Sequence, residues 1–117
     1  MTNRDDDTSV RDELVATRSF GALAELELAA GRRLVAEGAS LEALQRLASA
    51  EELCGLVLDW SGAATALLEQ ATVYLALAEH PLAFSSARSA LELFVAADDH
   101  AGVARTRELI DTVLDAS

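Results

Sequence analysis

Nearly the same phrase occurs twice in the chain, as SAEEL at residues 49–53 and as SALEL at residues 89–93. The two phrases lie forty residues apart, and the same shift superimposes further small and capping residues. The matched pairs are Ala36 and Ala76, Ala43 and Ala83, Ala50 and Ala90, Asp59 and Asp99, and Gly62 and Gly102. Small residues recur where helices cross at the usual packing distance of about 8–10 Å. The period therefore predicts a helical solenoid with two helices in each unit.

The composition agrees with an all-α domain. The chain has 117 residues, of which 51% are hydrophobic but only 4% are aromatic. A core must then be built from Ala, Leu and Val, which suits closely packed helices better than the pleated surface of a sheet. One proline and six glycines leave long uninterrupted segments. This length is enough for a single domain with its own hydrophobic core.

Apolar periodicity and turn signals divide the chain into antiparallel helical hairpins. Gly38 is the predicted stop of the first helix, and Ser40 caps the second, which is expected to reach about Leu58. Pro81 is expected to be the first residue of the fourth helix. The predicted parts are a disordered acidic tail at 1–8, a domain at 9–117 that opens with a short helix, units at about 20–58 and 60–98, a turn at 98–102 and a closing helix at about 101–115.

The charge bears on the kind of partner. The formal net charge is −11, which disfavours direct binding to nucleic acid or to an anionic membrane. A basic protein would be attracted, although solubility alone would also explain the acidity. The positive residues are all Arg, a weak indication of a GC-rich bacterial genome. An acidic N-terminal sequence and the lack of a long apolar run favour a cytoplasmic protein.

The second unit resembles the tetratricopeptide repeats. Residues of the family pattern are found at Leu67, Ala71, Tyr74, Ala83 and Ala90, with the ending ALEL, and in the first unit at Gly31, Leu34, Gly38, Ala43, Leu47 and Ala50. The resemblance covers about 20–115 and implies a short solenoid with a C-terminal capping helix. Three residues depart from the pattern, namely Glu27, Gln70 and Ala87. The period is forty rather than thirty-four, so the resemblance is to a variant found in bacterial regulatory proteins, and each second helix is expected to be longer by one to two turns.

The resemblance also implies a function, which is to bind an extended or helical peptide in a concave groove lined by the first helix of each unit. Carried over by position, the groove residues are Glu25, Leu28, Arg32, Val35, Thr65, Leu68, Thr72, Leu75, Arg105, Glu108 and Thr112. Leu28 and Leu68 could equally be core residues. Carboxylates expected on or beside the groove are Glu25, Glu27 and Glu108. The Lys and Asn residues with which some members hold a terminal carboxylate are absent from these positions.

A second hypothesis is self-assembly. Leu109, Ile110, Val113 and Leu114 give the closing helix more apolar surface than one neighbour would cover, and dimerisation would bury it. We expect no enzymatic activity and no cofactor, because no nucleophile, acid–base or phosphate-binding motif is found.

Five other residues are of types that can carry chemistry or bind ligands. The single cysteine, Cys54, is expected to be an inert core residue. Asp98, Asp99 and His100 are read as a capping turn rather than a metal site. Trp60 is read as an anchor for hairpin stacking rather than as a ligand platform.

Overall fold

The computed structural model describes Asp12 and residues 19–117, and this part of the chain contains five α-helices. They are α1 (Phe20–Ala36), α2 (Ser40–Leu56), α3 (Trp60–Ala76), α4 (His80–Ala96) and α5 (His100–Ala116). The predicted all-α class is confirmed. The predicted tail at 1–8 and the short helix after it fall outside the described residues, apart from Asp12.

Every helix has 17 residues and every connection has three, so a new helix begins at each twentieth residue. The two helices of a unit are therefore equal in length. The expectation that each second helix is one to two turns longer than is usual in the family stays a prediction. The second helix ends at Leu56 rather than near Leu58, and His80 precedes Pro81 as the first residue of α4. The last turn lies at 97–99 rather than 98–102.

One turn geometry repeats at all four connections. The N–H groups of Ala39, Asp59, Glu79 and Asp99 each donate to a carbonyl oxygen five residues earlier, at 2.9 Å. The residue before each of these donors has a left-handed backbone, with φ between 59° and 80°. These two features define the Schellman motif, which satisfies the last carbonyls of a helix. The left-handed residues are Gly38, Leu58, Ala78 and Asp98, so only the first turn contains the expected glycine.

The helices pack as two hairpins, α1 with α2 and α3 with α4, and α5 closes the stack against α4. Each first helix also contacts the next, α1 with α3 and α3 with α5, whereas no Cα atom of α2 lies within 8 Å of a Cα atom of α4. The first helices therefore form one continuous layer, and the second helices form the other. This arrangement confirms the predicted stack of antiparallel hairpins with a helix at its C-terminal end.

Small residues make the close crossings. The fully buried alanines include Ala43, Ala64, Ala66, Ala71, Ala83, Ala87 and Ala90. Gly31 crosses Leu47, and a Cβ atom added to the glycine would lie 2.7 Å from Cδ2 of that leucine. Phe94 is the largest side chain that is completely buried. The core is thus built from alanines around a few large residues, as the composition indicates.

The departures from the repeat pattern have structural reasons. Glu27 of α1 is 6% exposed and accepts a hydrogen bond from Arg46 of α2 at 2.9 Å. Gln70 of α3 is 8% exposed and donates to Glu51 of α2 at 3.0 Å. Both polar side chains therefore connect a first helix to α2, on its two sides. Ala87 is completely buried, where a larger residue would not fit without displacing its neighbours.

Candidate interaction groove

The layer of first helices contains a groove of about 300 Å³ between α3 and α5. Its lining residues are Leu68, Thr72, Arg105, Glu108, Leu109 and Thr112. The two leucines are half-buried and the four polar residues are exposed. We call this the α3–α5 groove. Five of its six residues are among those placed in a groove by the repeat register, and Leu109 is an addition.

The threonine hydroxyls of the groove are held by their own helices. Thr72 Oγ1 donates to the carbonyl oxygen of Leu68 at 3.0 Å, and Thr112 Oγ1 donates to that of Glu108 at 3.0 Å. Such hydroxyls have already satisfied their donors within the helix. The polar groups of the groove that are not held in this way belong to Arg105 and Glu108, which carry opposite charges.

Between α1 and α3 the same layer is bridged by an ion pair. Arg32 Nε donates to Glu69 Oε2 at 2.6 Å, with the arginine side chain 53% exposed. Arg32 thus lies on the predicted surface, but it is engaged by a carboxylate of this chain. The remaining predicted residues in this part are Glu25, Leu28, Val35, Thr65 and Leu75, of which Glu25 and Val35 are exposed and the other three are half-buried.

The sequence left open whether Leu28 and Leu68 belong to the core or to a binding surface, and both leucines combine packing with an accessible position. Leu68 packs against the buried cluster of Ala64, Leu67, Ala90 and Phe94 and also lines the α3–α5 groove. Leu28 is half-buried and lines a smaller cavity near the start of α1. A substitution at either leucine would therefore disturb packing as well as any binding surface.

Glu27 does not lie on or beside the groove, which corrects the expectation from the register. It is buried between α1 and α2 by its ion pair with Arg46. A carboxylate in this position is shielded from an incoming partner and acts within the fold. Glu25 and Glu108 are exposed, as the proposed groove requires.

The smaller cavity, of about 140 Å³, lies where α1, the end of α2 and the start of α3 meet. Cys54 lines it and is 7% exposed, so the prediction of a buried cysteine is confirmed. Burial raises the pKa of its thiol, and the carboxylates of Asp59 and Glu25 raise that pKa further. A raised pKa keeps the sulfur protonated, which is the opposite of what a nucleophilic cysteine needs.

The four apolar residues predicted for a dimer interface do not form one exposed surface. Val113 is only 1% exposed and is therefore buried within the chain. Leu109 faces the α3–α5 groove, and Ile110 is half-buried. Leu114 is 55% exposed and contributes, with Phe84 and the edge of Val113, to an apolar cavity of about 450 Å³ between α4 and α5.

Trp60 lies in a valley that the sequence did not predict. Because the Cα atoms of α2 and α4 all lie more than 8 Å apart, a space of about 630 Å³ opens between the two helices. Trp60 and Ala63 of α3 line it together with Glu52 and Leu93. The indole is 40% exposed, so it anchors the stack only in part. The valley arises from the wide separation of the backbones of the second helices, which sequence periodicity does not reveal.

The polar turn before α5 acts as a cap. Asp99 accepts a hydrogen bond from the N–H of Gly102 at 2.9 Å, and Asp59 does the same for Gly62. His100 Nε2 lies 3.2 Å from Asp98 Oδ1, with both side chains almost fully exposed. In the described part of the chain no three His, Cys, Asp or Glu side chains are grouped as a metal site would require.

Among residues 19–117 no helix combines the length and the apolar character needed to cross a bilayer. We found no protein-family model, no curated protein and no solved structure that matches this chain.

Proposed function

We propose that the protein is a non-enzymatic, cytoplasmic interaction module related to the tetratricopeptide repeats, and that it binds a peptide or helix of a partner protein along its layer of first helices. The observation that carries the proposal is the α3–α5 groove. It combines half-buried leucines with exposed side chains of both charges, on a layer formed by successive first helices. A folded repeat scaffold offers such a surface at little ordering cost on binding.

The partner's expected chemistry follows from the charge. With a net charge of −11, the chain attracts a basic partner over long range, and this attraction weakens as salt screens it. Leu68 and Leu109 would contact apolar side chains of the partner, and Glu108 would contact a cation. Arg105 would pair with a carboxylate, which gives the groove a direction for the bound segment.

The experiment begins with proteins that co-purify with the tagged full-length chain from its native cell. Binding of the identified partner is then measured for the wild type, for a Thr72→Arg, Glu108→Arg double variant and for a Glu42→Arg control. Thr72 and Glu108 are exposed in the groove, whereas Glu42 is exposed at the start of α2. We expect the double variant to lose about tenfold or more in affinity, since two cations oppose a basic segment, and the control to lose little. If the double variant and the control change the affinity equally, the proposal that the partner binds in the α3–α5 groove is contradicted.

Association kinetics give an independent measurement. The association rate is expected to fall from low to high salt, while removal of residues 1–7 is expected to change it little, because the groove carboxylates Glu25 and Glu108 are held on helices. A rate that does not change with ionic strength would show that the acidity serves solubility alone.

A second candidate function is homodimerisation, which the apolar cavity between α4 and α5 favours. Its lining includes Pro81, Phe84 and the exposed Leu114. Light scattering distinguishes the two states, since a monomer has a mass of 12.4 kDa. Under this second hypothesis Leu114→Glu would convert a dimer to a monomer. If the wild type has the mass of one chain at all concentrations, the hypothesis of homodimerisation is excluded.

A further inference from the structure

The forty-residue repeat creates two equivalent spaces between the helices. The first space lies around Cys54 and the second lies around Phe94, and the two are filled differently. In the second space the ring of Phe94 is completely buried against Ala64, Leu67 and Ala90. The guanidinium carbon of Arg105 lies 5.9 Å from the centroid of that ring. The second space therefore contains an aromatic ring with a cation over it, a favourable arrangement.

In the first space Cys54 takes the place of Phe94, and the cavity of about 140 Å³ lies beside it. Several surrounding residues are identical in the two spaces, since Ala24 matches Ala64, Leu28 matches Leu68, and Gly62 matches Gly102. A thiol is much smaller than a phenyl ring. The first cavity is thus the part of the repeated space that the shorter side chain does not fill.

The rim of the first cavity lacks a hydrogen bond that is present in the second space, and it carries one more carboxylate. In the second space Ser61 Oγ donates to Asp99 Oδ2 at 2.5 Å, which joins the start of α3 to the cap of α5. The residue that matches Ser61 is Gly21, which has no side chain to reach Asp59. Glu25 replaces Thr65 at the rim, so two carboxylates and no cation line this cavity.

We infer that the cavity beside Cys54 receives an aromatic side chain of the partner, with a neighbouring cation of the partner held by Glu25 and Asp59. The ring takes the place that Phe94 fills in the second space, and the cation provides the charge that Arg105 provides there. The inference rests on the proposed function, because Glu25 and Leu28 belong to the predicted binding surface. It specifies the partner's chemistry as an aromatic residue next to Arg or Lys.

The size and the charge both support this occupant. A cavity of about 150 Å³ in a protein core is large enough to bind benzene. An anionic group would be repelled by both carboxylates, and an aliphatic cation would leave the apolar part of the cavity unfilled. An aromatic anchor in a pocket, surrounded by a polar rim, is also the arrangement that contributes most to binding energy at protein interfaces.

The test uses small probes and the full chain, and it needs no identified partner. Benzylammonium carries a ring and a cation, and phenylacetate carries a ring and an anion. Amide chemical shifts of the ¹⁵N-labelled protein are followed during titration with each. We expect benzylammonium to shift the amide resonances of Ala24, Cys54 and Gly62 in a saturable way. The affinity for phenylacetate should be lower by about tenfold or more. Equal binding of the two probes, or no saturable shift with benzylammonium, would overturn the inference.

Variants locate the site. Cys54→Phe fills the cavity from within and should abolish the chemical-shift changes caused by benzylammonium. If circular dichroism shows that this variant does not fold, Cys54→Leu fills the cavity with a smaller side chain. Glu25→Gln should weaken binding about threefold to fivefold, the usual effect of one partly exposed ion pair. Glu37→Gln, at an exposed position in the first connection, should leave it unchanged. Benzylammonium binding that survives both fillings would also overturn the inference.

The two proposals can fail separately. Thr72 and Glu108 line the α3–α5 groove and not the cavity beside Cys54. If their double variant loses the partner while benzylammonium does not bind, the groove stands and the aromatic anchor is excluded. If benzylammonium binds and the double variant still captures the partner, the cavity stands and the α3–α5 groove is excluded.

Discussion

Gly102 lies against the ring of Phe94 so closely that a Cβ atom on the glycine would be 2.6 Å from Cγ of the ring. The matched pair forty residues earlier has the same relationship, since a Cβ atom on Gly62 would lie 2.8 Å from the sulfur of Cys54. At both positions a glycine near the start of a first helix admits a side chain from the end of the preceding second helix. This contact joins one hairpin to the next.

The first prediction concerns this contact. Gly102→Ala should lower the free energy of unfolding by about 1–3 kcal/mol, because the added methyl group overlaps a buried ring that has no free space to move into. Urea denaturation measures the change. Gly55→Ala is the matched control, since a Cβ atom there meets nothing within 4 Å. The control should be stabilising by up to about 1 kcal/mol through helix propensity. A loss of stability as large in the control would contradict the assignment.

The second prediction concerns the left-handed turn residues. Leu58 and Ala78 hold φ angles of 59° and 60°, which side chains with a Cβ atom adopt at a cost of about 1 kcal/mol. Leu58→Gly and Ala78→Gly should each raise the free energy of unfolding by a few tenths to about 1 kcal/mol, since glycine adopts this backbone freely. Gly38→Ala should have the opposite effect at the first turn. Thermal unfolding measures the three variants. Changes of the unfolding temperature in the same direction for all three would contradict the prediction.

The third prediction concerns acid. The hydroxyl of Ser61 and the N–H of Gly102 hold the pKa of Asp99 below its usual value, with smaller contributions from Arg105 and His100. A lowered pKa in the folded state means that ionised Asp99 stabilises the fold above about pH 4, the usual Asp range, and that this stability is lost as the pH falls through the lowered value.

Asp99→Asn keeps a capping oxygen but removes the charge. Below pH 4 the wild type should therefore lose stability more steeply than the variant, so that the difference between them narrows, as measured by urea unfolding between pH 6 and pH 2. Asp115→Asn, at the exposed C-terminal end of α5, serves as the control. A constant difference between wild type and Asp99→Asn across this range would show that the charge has no role.

The fourth prediction concerns Cys54. Its thiol is buried and has a raised pKa, so alkylation by iodoacetamide at neutral pH should be about tenfold slower or more in the native protein than in urea. Mass spectrometry follows the single modification. Equal rates in the two states would contradict the protection of the thiol by burial and by its raised pKa.

The sequence was sufficient to predict the five helices of residues 19–117 and their pairing in antiparallel hairpins. It did not predict the turns well, because Leu58 and Ala78 are not turn residues by propensity. Their left-handed backbone is imposed by the hydrogen bonds of the Schellman motif and by the packing on either side. Local sequence preference is weaker than these tertiary constraints.

The groove was predicted in part. Residues on the predicted groove face of successive first helices, such as Leu68, Arg105 and Glu108, lie together in the structure as expected. Glu27 was misplaced because its partner, Arg46, lies on another helix, and a register along one helix does not show a contact across two. Val113 was misjudged for the same reason, since its burial depends on how α4 and α5 cross.

The constant twenty-residue spacing has a consequence for how such a gene can change in length. Recombination between the DNA that encodes SAEEL and SALEL would remove forty codons and join the first part of α2 to the last part of α4. The joined helix would again have 17 residues, because both crossover points have the same helical phase. It would carry Phe94 into the space beside Ala24 and Leu28, and Gly102 would still receive the ring. Unequal crossing-over can therefore shorten or extend this chain by whole hairpins without changing the kind of contact at any junction.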